Sequence, residues 1–458
     1  MIKDEGLRRR SPRPSVDLQA RHVRPHTLSG CRSRIGCGRK CFYNATTRTS
    51  RLPRPPKGRI PSFVSDQRFI GSLTGLSFIA AATVAVGHGA PSLGRGWPAE
   101  LIAQVSSIGM TMFFVLSGFV LWLNDAHRFQ GPSIRGALRE FAIARFARLY
   151  PMYAALVVAI VAYLSIARGL SAPSLGFILT MTQAWFPVLN GTMLVAVVPS
   201  LTHLWSISVE LFFYLLFPLI CVLLAGVERL ATIILLAALN ILAFALAILA
   251  FFTFGDATLR VLAPSLQHNG MQWLTYYAPY LHVAEFLVGC FAAMIHQNRA
   301  LAEHSAADRY SVTALFWLSL ASLACAPVLL FAQPRPPGWS FSIELAVRLI
   351  EIVGFSILFV AASHYGHARW LSSRPIILGG ECSYSIYLLH PFLIRLAMIG
   401  KPDEPNVIEL LLRLALFVAI ITAVAWITYV LIEAPARAKI RQAFGTSAPR
   451  DVMQAKAG

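Results

Sequence analysis

His88 stands at the end of the apolar run TGLSFIAAATVAVGHG, where an imidazole is well suited to take a proton from a hydroxyl near neutral pH. An interfacial histidine bonded to a headgroup or a loop carbonyl fits the same position. In HLWSISVELFFYLLFP, residues 203–218, Ser206 and Glu210 lie four apart, and His203 lies three before Ser206. On a helix that spacing puts all three on one face. A carboxylate embedded in so apolar a segment needs a partner, and a nearby imidazole or hydroxyl supplies one. Such a face either orients another group or forms a Ser206–His nucleophile dyad. The run RFARLYPMY places Arg145 and Arg148 about one turn apart. Their planar forks suit phosphate oxygens, although positive charge is also expected at the cytoplasmic end of a membrane span. His88, Glu210, Ser206 and His203 are therefore the candidate catalytic groups, and Arg145 with Arg148 the candidate anion-binding ones.

Other polar positions are less specific. Ser117-Gly118 in GMTMFFVLSGFVLW reads as a close-packing position between helices. Glu344, Arg348 and Glu351 follow i, i+4, i+7 spacing and read as a mutually neutralising network. Ser383, Tyr387 and His390 fall near one face of GECSYSIYLLHPF, as pore lining or as a packing network. Glu285, in YLHVAEFLVG, is open to either reading.

The elements that must carry these groups are membrane helices. Hydrophobic residues make up 56% of the 458-residue chain and charged residues 13%, with a mean hydropathy of +0.61. Soluble domains are nearer 45–50% apolar and about 25% charged. Apolar runs of membrane-spanning length recur, which predicts an all-α polytopic bundle of about ten spans. The expected spans are 69–90, 104–124, 149–168, 205–226, 230–253, 275–296, 311–332, 342–363, 376–396 and 411–433. The short run 174–188 reads as re-entrant or interfacial. Basic residues then fall on one side, in 125–148, at Arg229, in 299–309, at Arg369 and Arg374, and in the C-terminal tail. That pattern predicts cytoplasmic N- and C-termini. It sets His88, His203, Ser206, Glu210 and His390 towards the outer face and Arg145 and Arg148 at the inner mouth.

The net charge of +19 is concentrated at the start: residues 1–60 hold sixteen Lys/Arg against three acidic residues. Beside a bundle, such a tail reads as a cytoplasmic, lipid-attracted and disordered segment over 1–64, not as a nucleic-acid binder. The bundle occupies 65–441, and 442–458 form a short cytoplasmic tail. No secretory leader is expected, because the first apolar run begins near residue 69. Cys31, Cys37 and Cys41 lack zinc-ligand spacing, so no metal is expected. Cys221, Cys290, Cys325 and Cys382 read as small packing residues.

Taken in order, these segments resemble the acyltransferase 3 family of membrane O-acyltransferases over roughly residues 66–441. RFIGSLTGLSFIAAATVAVGH resembles the family's opening span, whose essential histidine corresponds to His88. GMTMFFVLSGF resembles its second-span motif, and RFARLYP its basic motif, with Arg145, Arg148 and Pro151. HLWSISVE resembles its HLWSLSVE-type signature, with His203, Trp205, Ser206 and Glu210. GECSYSIYLLHPF and IEAPARAKIR resemble its last two segments, including His390, Glu433 and Pro435. One position departs from the pattern: where the family commonly has Arg, eleven residues before the essential histidine, this chain has Ser77. Arg68, at the inner end of the same span, is the candidate to take its place in holding the donor.

The resemblance implies a multi-pass protein of the bacterial inner membrane. It implies acyl transfer, acetyl above all, from a cytoplasmic acyl-CoA to a hydroxyl of a polysaccharide, lipopolysaccharide or lipid-linked sugar. His88 would be the base and Glu210, with Ser206 and His203, would orient it. A transporter or flippase using the same His and carboxylates as a proton relay is the alternative, disfavoured by the lack of a detectable internal repeat.

Overall fold

The computed structural model describes residues 63–131, 133–167, 172–189, 192–196, 199–262, 272–298, 306–331, 340–364, 370–397 and 404–445. All but the last two residues of the expected basic tail lie outside them, as does most of the C-terminal tail. The helices, in chain order, are α1 (Phe63–Leu93), α2 (Trp97–Ala103), α3 (Val105–Asp125), α4 (Ile134–Ala167), α5 (Ala172–Leu179), α6 (Trp205–Leu223) and α7 (Leu230–Leu262). They continue as α8 (Pro279–Gln297), α9 (Ala306–Phe331), α10 (Ser340–His364), α11 (Arg374–Glu381), α12 (Ser383–Ala397), α13 (Val407–Thr428) and α14 (Ala434–Ala443). A two-residue pairing, Val188–Leu189 with Thr192–Met193, is the one strand element among the described residues.

α3 is the central post, packed on α1, α8 and α10. Its apolar residues Met110, Phe114, Val115, Phe119 and Trp122 are buried in the main core. Small residues let it approach α8 backbone to backbone. A Cβ on Gly118 would strike the Phe286 carbonyl, and one on Gly289 the Val115 carbonyl. Ser117-Gly118 thus lies at a close helix–helix contact, as its type predicts. α1 runs antiparallel to α3, with Gly87 against Ser106 and Gly109 against Ala80 and Val84. From the level of Ser106 to Asp125, α3 extends roughly 28 Å, enough to cross most of a bilayer's hydrocarbon.

Seven helices among the described residues are long and apolar enough to cross a membrane: Gly71–Leu93, Trp97–Gln130, Ile134–Ala162, Leu201–Leu223, Leu230–Phe251, Trp273–Gln297 and Val407–Ala443. The expected spans 311–332, 342–363 and 376–396 are not among them, so by length and composition seven of the ten expected spans are found among the described residues. The run 376–396 is divided at Cys382 into α11 and α12, neither of spanning length. Hydropathy cannot see this break, because both halves are apolar. α10 carries the charges Glu344, Arg348 and Glu351. The run 174–188 does not span: it is the eight-residue α5 followed by turns. Cys221, Cys290 and Cys382 are buried as expected of packing residues, whereas Cys325 is exposed.

Candidate active site

α1 delivers His88 near its C-terminal end, where the residue is exposed yet touches α12. Its Nδ1 lies 2.9 Å from Nε2 of the fully buried His390, with the two rings nearly parallel at 21°. The His390 Nδ1–H donates to the Tyr387 carbonyl over 2.6 Å. Local sequence makes that carbonyl available. The helical N–H that would ordinarily bond it belongs to residue 391, which is Pro391.

His203 packs edge-on against His390, 5.7 Å between centroids, and its Nε2–H donates to the Leu388 carbonyl over 3.2 Å. The Tyr387 hydroxyl ties the layer together. It donates to the His203 carbonyl over 2.7 Å and accepts the Ser206 hydroxyl over 2.6 Å. Segments 300 residues apart in the chain thus form one small polar layer of three imidazoles, a phenol and a serine. Among the described residues, the hydrogen-bond partners of the three rings are backbone carbonyls and each other.

Glu210 does not join that layer. It accepts from the Tyr214 hydroxyl one turn further along α6, and Arg148 interacts electrostatically with Tyr214, Glu210, Glu433 and Tyr384. The expected contact between Glu210 and His88 is therefore replaced by two separate pairings, His88 with His390 and Glu210 with Tyr214. The 3-10 turn Pro199–Leu204 brings His203 to the first group, and α6, which follows it, brings Ser206 to the first group and Glu210 to the second. The Ser206 hydroxyl donates to Tyr387 and not to a histidine, so the expected Ser206–His contact is not formed.

Glu433 reaches this second group from a π-helical turn, Tyr429–Glu433, which follows α13 and re-aims the chain before α14. Its carboxylate accepts the Ser385 hydroxyl over 3.0 Å. Tyr384, on α12, donates to the Leu149 carbonyl over 2.8 Å and so pins α12 to α4. Arg145 forms an ion pair with the buried Asp125 at the end of α3, and its guanidinium lies over the Phe141 and Tyr214 rings at 5.2 and 5.6 Å. It is thus not the free fork its spacing predicts.

The remaining candidates are quickly placed. Ser77 donates to the Leu73 carbonyl of its own helix over 3.3 Å. The Arg68 and Glu344 side chains lie outside the described residues. Arg348 donates to the Thr275 carbonyl over 2.7 Å and Glu351 accepts from Thr111 over 2.7 Å, so these two hydrogen-bond other elements and not each other. No group of three or more His, Cys, Asp or Glu suited to a metal ion occurs among the described residues.

Two pairs escaped the sequence. Asp125 ends the apolar run FVLWLND, and an acidic residue in that position was the available signal. His282 sits with Nδ1 3.1 Å from Glu285 and Nε2 3.0 Å from the Tyr276 carbonyl, beneath the Trp205 ring. The i, i+3 spacing of His282 and Glu285 was legible.

The site thus sets a histidine pair at one end of the helical bundle and arginines at the other. A family model described as an acyltransferase domain matches residues 70–430, and the chain belongs to that acyltransferase 3 family. Its relatives include the O-acetyltransferase OatA of Staphylococcus aureus (strain NCTC 8325 / PS 47), 26% identical over 397 residues, 82% of this chain and 58% of the relative. The peptidoglycan O-acetyltransferase OatA of Listeria monocytogenes is 25% identical over 396 residues, 81% of this chain and 56% of the relative. The putative peptidoglycan O-acetyltransferase YrhL of Bacillus subtilis is 26% identical over 387 residues, 81% of this chain and 55% of the relative. The chain spans a little over half the length of these curated relatives. No solved structure matches it.

Proposed function

We propose that the chain transfers an acyl group, acetyl by preference, from acyl-CoA to a hydroxyl of a cell-envelope glycan. The observation that carries this reading is His88: an exposed imidazole at the end of a membrane helix, with its Nδ1 engaged by the buried His390. The names of the relatives favour a glycan hydroxyl, in peptidoglycan or a related polymer, as acceptor. The donor enters from the arginine end. Arg135, Arg139 and Lys439 are exposed there and give a cationic surplus for the CoA phosphates, with Arg145 and Arg148 behind them. The termini are then cytoplasmic, and ten crossings, counting the divided α11–α12 as one, keep both on that side.

In the reaction, His88 takes the proton of the acceptor hydroxyl as its oxygen attacks the thioester carbonyl. The C–O bond forms, the C–S bond breaks, and the proton passes to the departing thiolate, giving an O-acyl glycan and CoA. Positioned proton transfer of this kind contributes about 10²–10⁴-fold to rate.

The test is a transfer assay on membranes carrying the full chain, with acetyl-labelled acetyl-CoA and a peptidoglycan acceptor. Label is expected in alkali-labile ester on the glycan, with stoichiometric CoA release, and His88→Ala is expected to abolish both. Transfer by a folded His88→Ala protein at the wild-type rate would remove the assignment. Movement of a solute across vesicles without CoA release would favour the transport alternative.

A further inference from the structure

We infer that His390 is a positioning residue that fixes the tautomer of His88, so that Nε2 of His88 carries the lone pair that meets the acceptor. The inference rests on the base role proposed for His88, and it follows from donor and acceptor accounting along one chain of atoms.

A backbone carbonyl can only accept, so the 2.6 Å contact between His390 Nδ1 and the Tyr387 carbonyl requires a proton on Nδ1. Pro391 strengthens this requirement. It supplies no N–H for the Tyr387 carbonyl, and an unpaired carbonyl inside an apolar bundle is costly, so the neighbouring imidazole is drawn into the role. With Nδ1 protonated, a neutral His390 presents Nε2 as an acceptor. The one polar atom given to that acceptor is His88 Nδ1, at 2.9 Å. His88 must therefore hold its proton on Nδ1, leaving Nε2 unprotonated.

A free histidine has no such obligation, since its two tautomers interconvert in water. Here the choice is made by a carbonyl two links away. The nearly parallel rings also limit rotation of His88 about its own axis, which directs Nε2 as well as emptying it. His203 is excluded from this chain of bonds, because its Nε2–H goes to the Leu388 carbonyl. It meets His390 edge-on and packs against its ring on that side. Once His88 has taken the acceptor's proton, its Nδ1–H still points at a neutral acceptor, which stabilises the imidazolium. An aspartate does the same in a serine-protease triad, with the difference that here the supporting group carries no charge.

The experiment uses the full chain in detergent or nanodiscs, labelled with 15N-histidine, with the His88 signal assigned by its loss in His88→Ala. The wild-type spectrum is expected to show His88 protonated at Nδ1. In His390→Gln the amide oxygen can reach the Nε2 position, so His88 is expected to keep its tautomer and kcat to stay within about tenfold of wild type. In His390→Phe the acceptor is gone. His88 is expected to lose its Nδ1–H preference, and kcat to fall by roughly a hundredfold or more with KM for acyl-CoA little changed, the pattern of a wrong tautomer in a triad.

A wild-type His88 protonated at Nε2 would overturn the inference outright, whatever the variants do. So would equal kcat losses in the Gln and Phe variants with His88's tautomer unchanged, since that is the result of lost packing alone. If His390→Phe does not fold, the wild-type and Gln spectra still decide. Failure of the acyl-transfer reading is separable. It would appear as full activity in His88→Ala, and the tautomer spectrum would still report on the geometry.

Discussion

The two ends of the bundle solve the problem of burying polar groups in opposite ways. At the His88 end, three imidazoles, Tyr387 and Ser206 satisfy one another and the backbone through neutral hydrogen bonds. At the arginine end, Arg145 is ion-paired with Asp125, and Arg148 lies in the field of Glu210 and Glu433, so positive charge there faces carboxylates. Any chain of neutral donors and acceptors must terminate somewhere, and in the proposed tautomer this one terminates at Nε2 of the exposed His88. An ion-pair network terminates in nothing, and its use is rigidity and field. The carboxylate expected to serve the imidazole therefore belongs to the other end. In the proposed reading, proton transfer and charge compensation are held in separate layers of the bundle.

The largest expected effect lies on the neutral side. His88→Ala removes the exposed member of that network, and acyl transfer is expected to fall by about 10²–10⁴-fold while thermal unfolding stays close to wild type. An equally large loss of stability would show that the network is structural and blur the contrast. On the charged side the order reverses. Asp125→Ala leaves the Arg145 guanidinium against two aromatic rings without its carboxylate, and is expected to destabilise the protein by about 3–5 kcal/mol in a denaturation assay. The double change Asp125→Leu with Arg145→Met is expected to recover most of that loss. The recovered protein should show only a few-fold higher KM for acyl-CoA. A collapse of donor binding would instead make Arg145 a direct phosphate ligand.

What the sequence made legible divides along the same line. Apolar runs locate α3, α6, α8 and α13 to within about five residues, and find α1 and α7 with ends off by up to nine, because lipid imposes a length and a composition on every span. They also set His88 and His203 at one level. Partnership was not legible. His88 and His390 lie 302 residues apart, and nothing local marks one as the other's acceptor. Glu210 and His203 share a helix face by spacing, but seven residues of rise, about 10 Å, separate what they touch. The division between α11 and α12 at Cys382 was hidden because hydropathy averages over it. Two clues were present and local: Pro391 directly after His390, and Asp125 at the end of an apolar run facing a basic one.

The smallest expected effect is also the one that separates the two readings of the HLWSISVE stretch most sharply. If Ser206 were an acyl-accepting nucleophile, Ser206→Ala would abolish transfer, and a labelled acyl-enzyme would disappear with it. The geometry assigns it a different task, because its hydroxyl hydrogen points at Tyr387, whose own hydrogen goes to the His203 carbonyl. Removing it leaves the Tyr387 oxygen with one acceptor site unused, a loss of about 1 kcal/mol. Ser206→Ala is therefore expected to keep transfer within roughly tenfold of wild type, the effect of a hydrogen bond once removed from the base. Tyr387→Phe should cost more, since it strands both Ser206 and the buried His203 carbonyl. The order Tyr387→Phe before Ser206→Ala, read from kcat and from thermal midpoints together, would place the serine inside the neutral network. The reverse order would put it back at the centre of the chemistry.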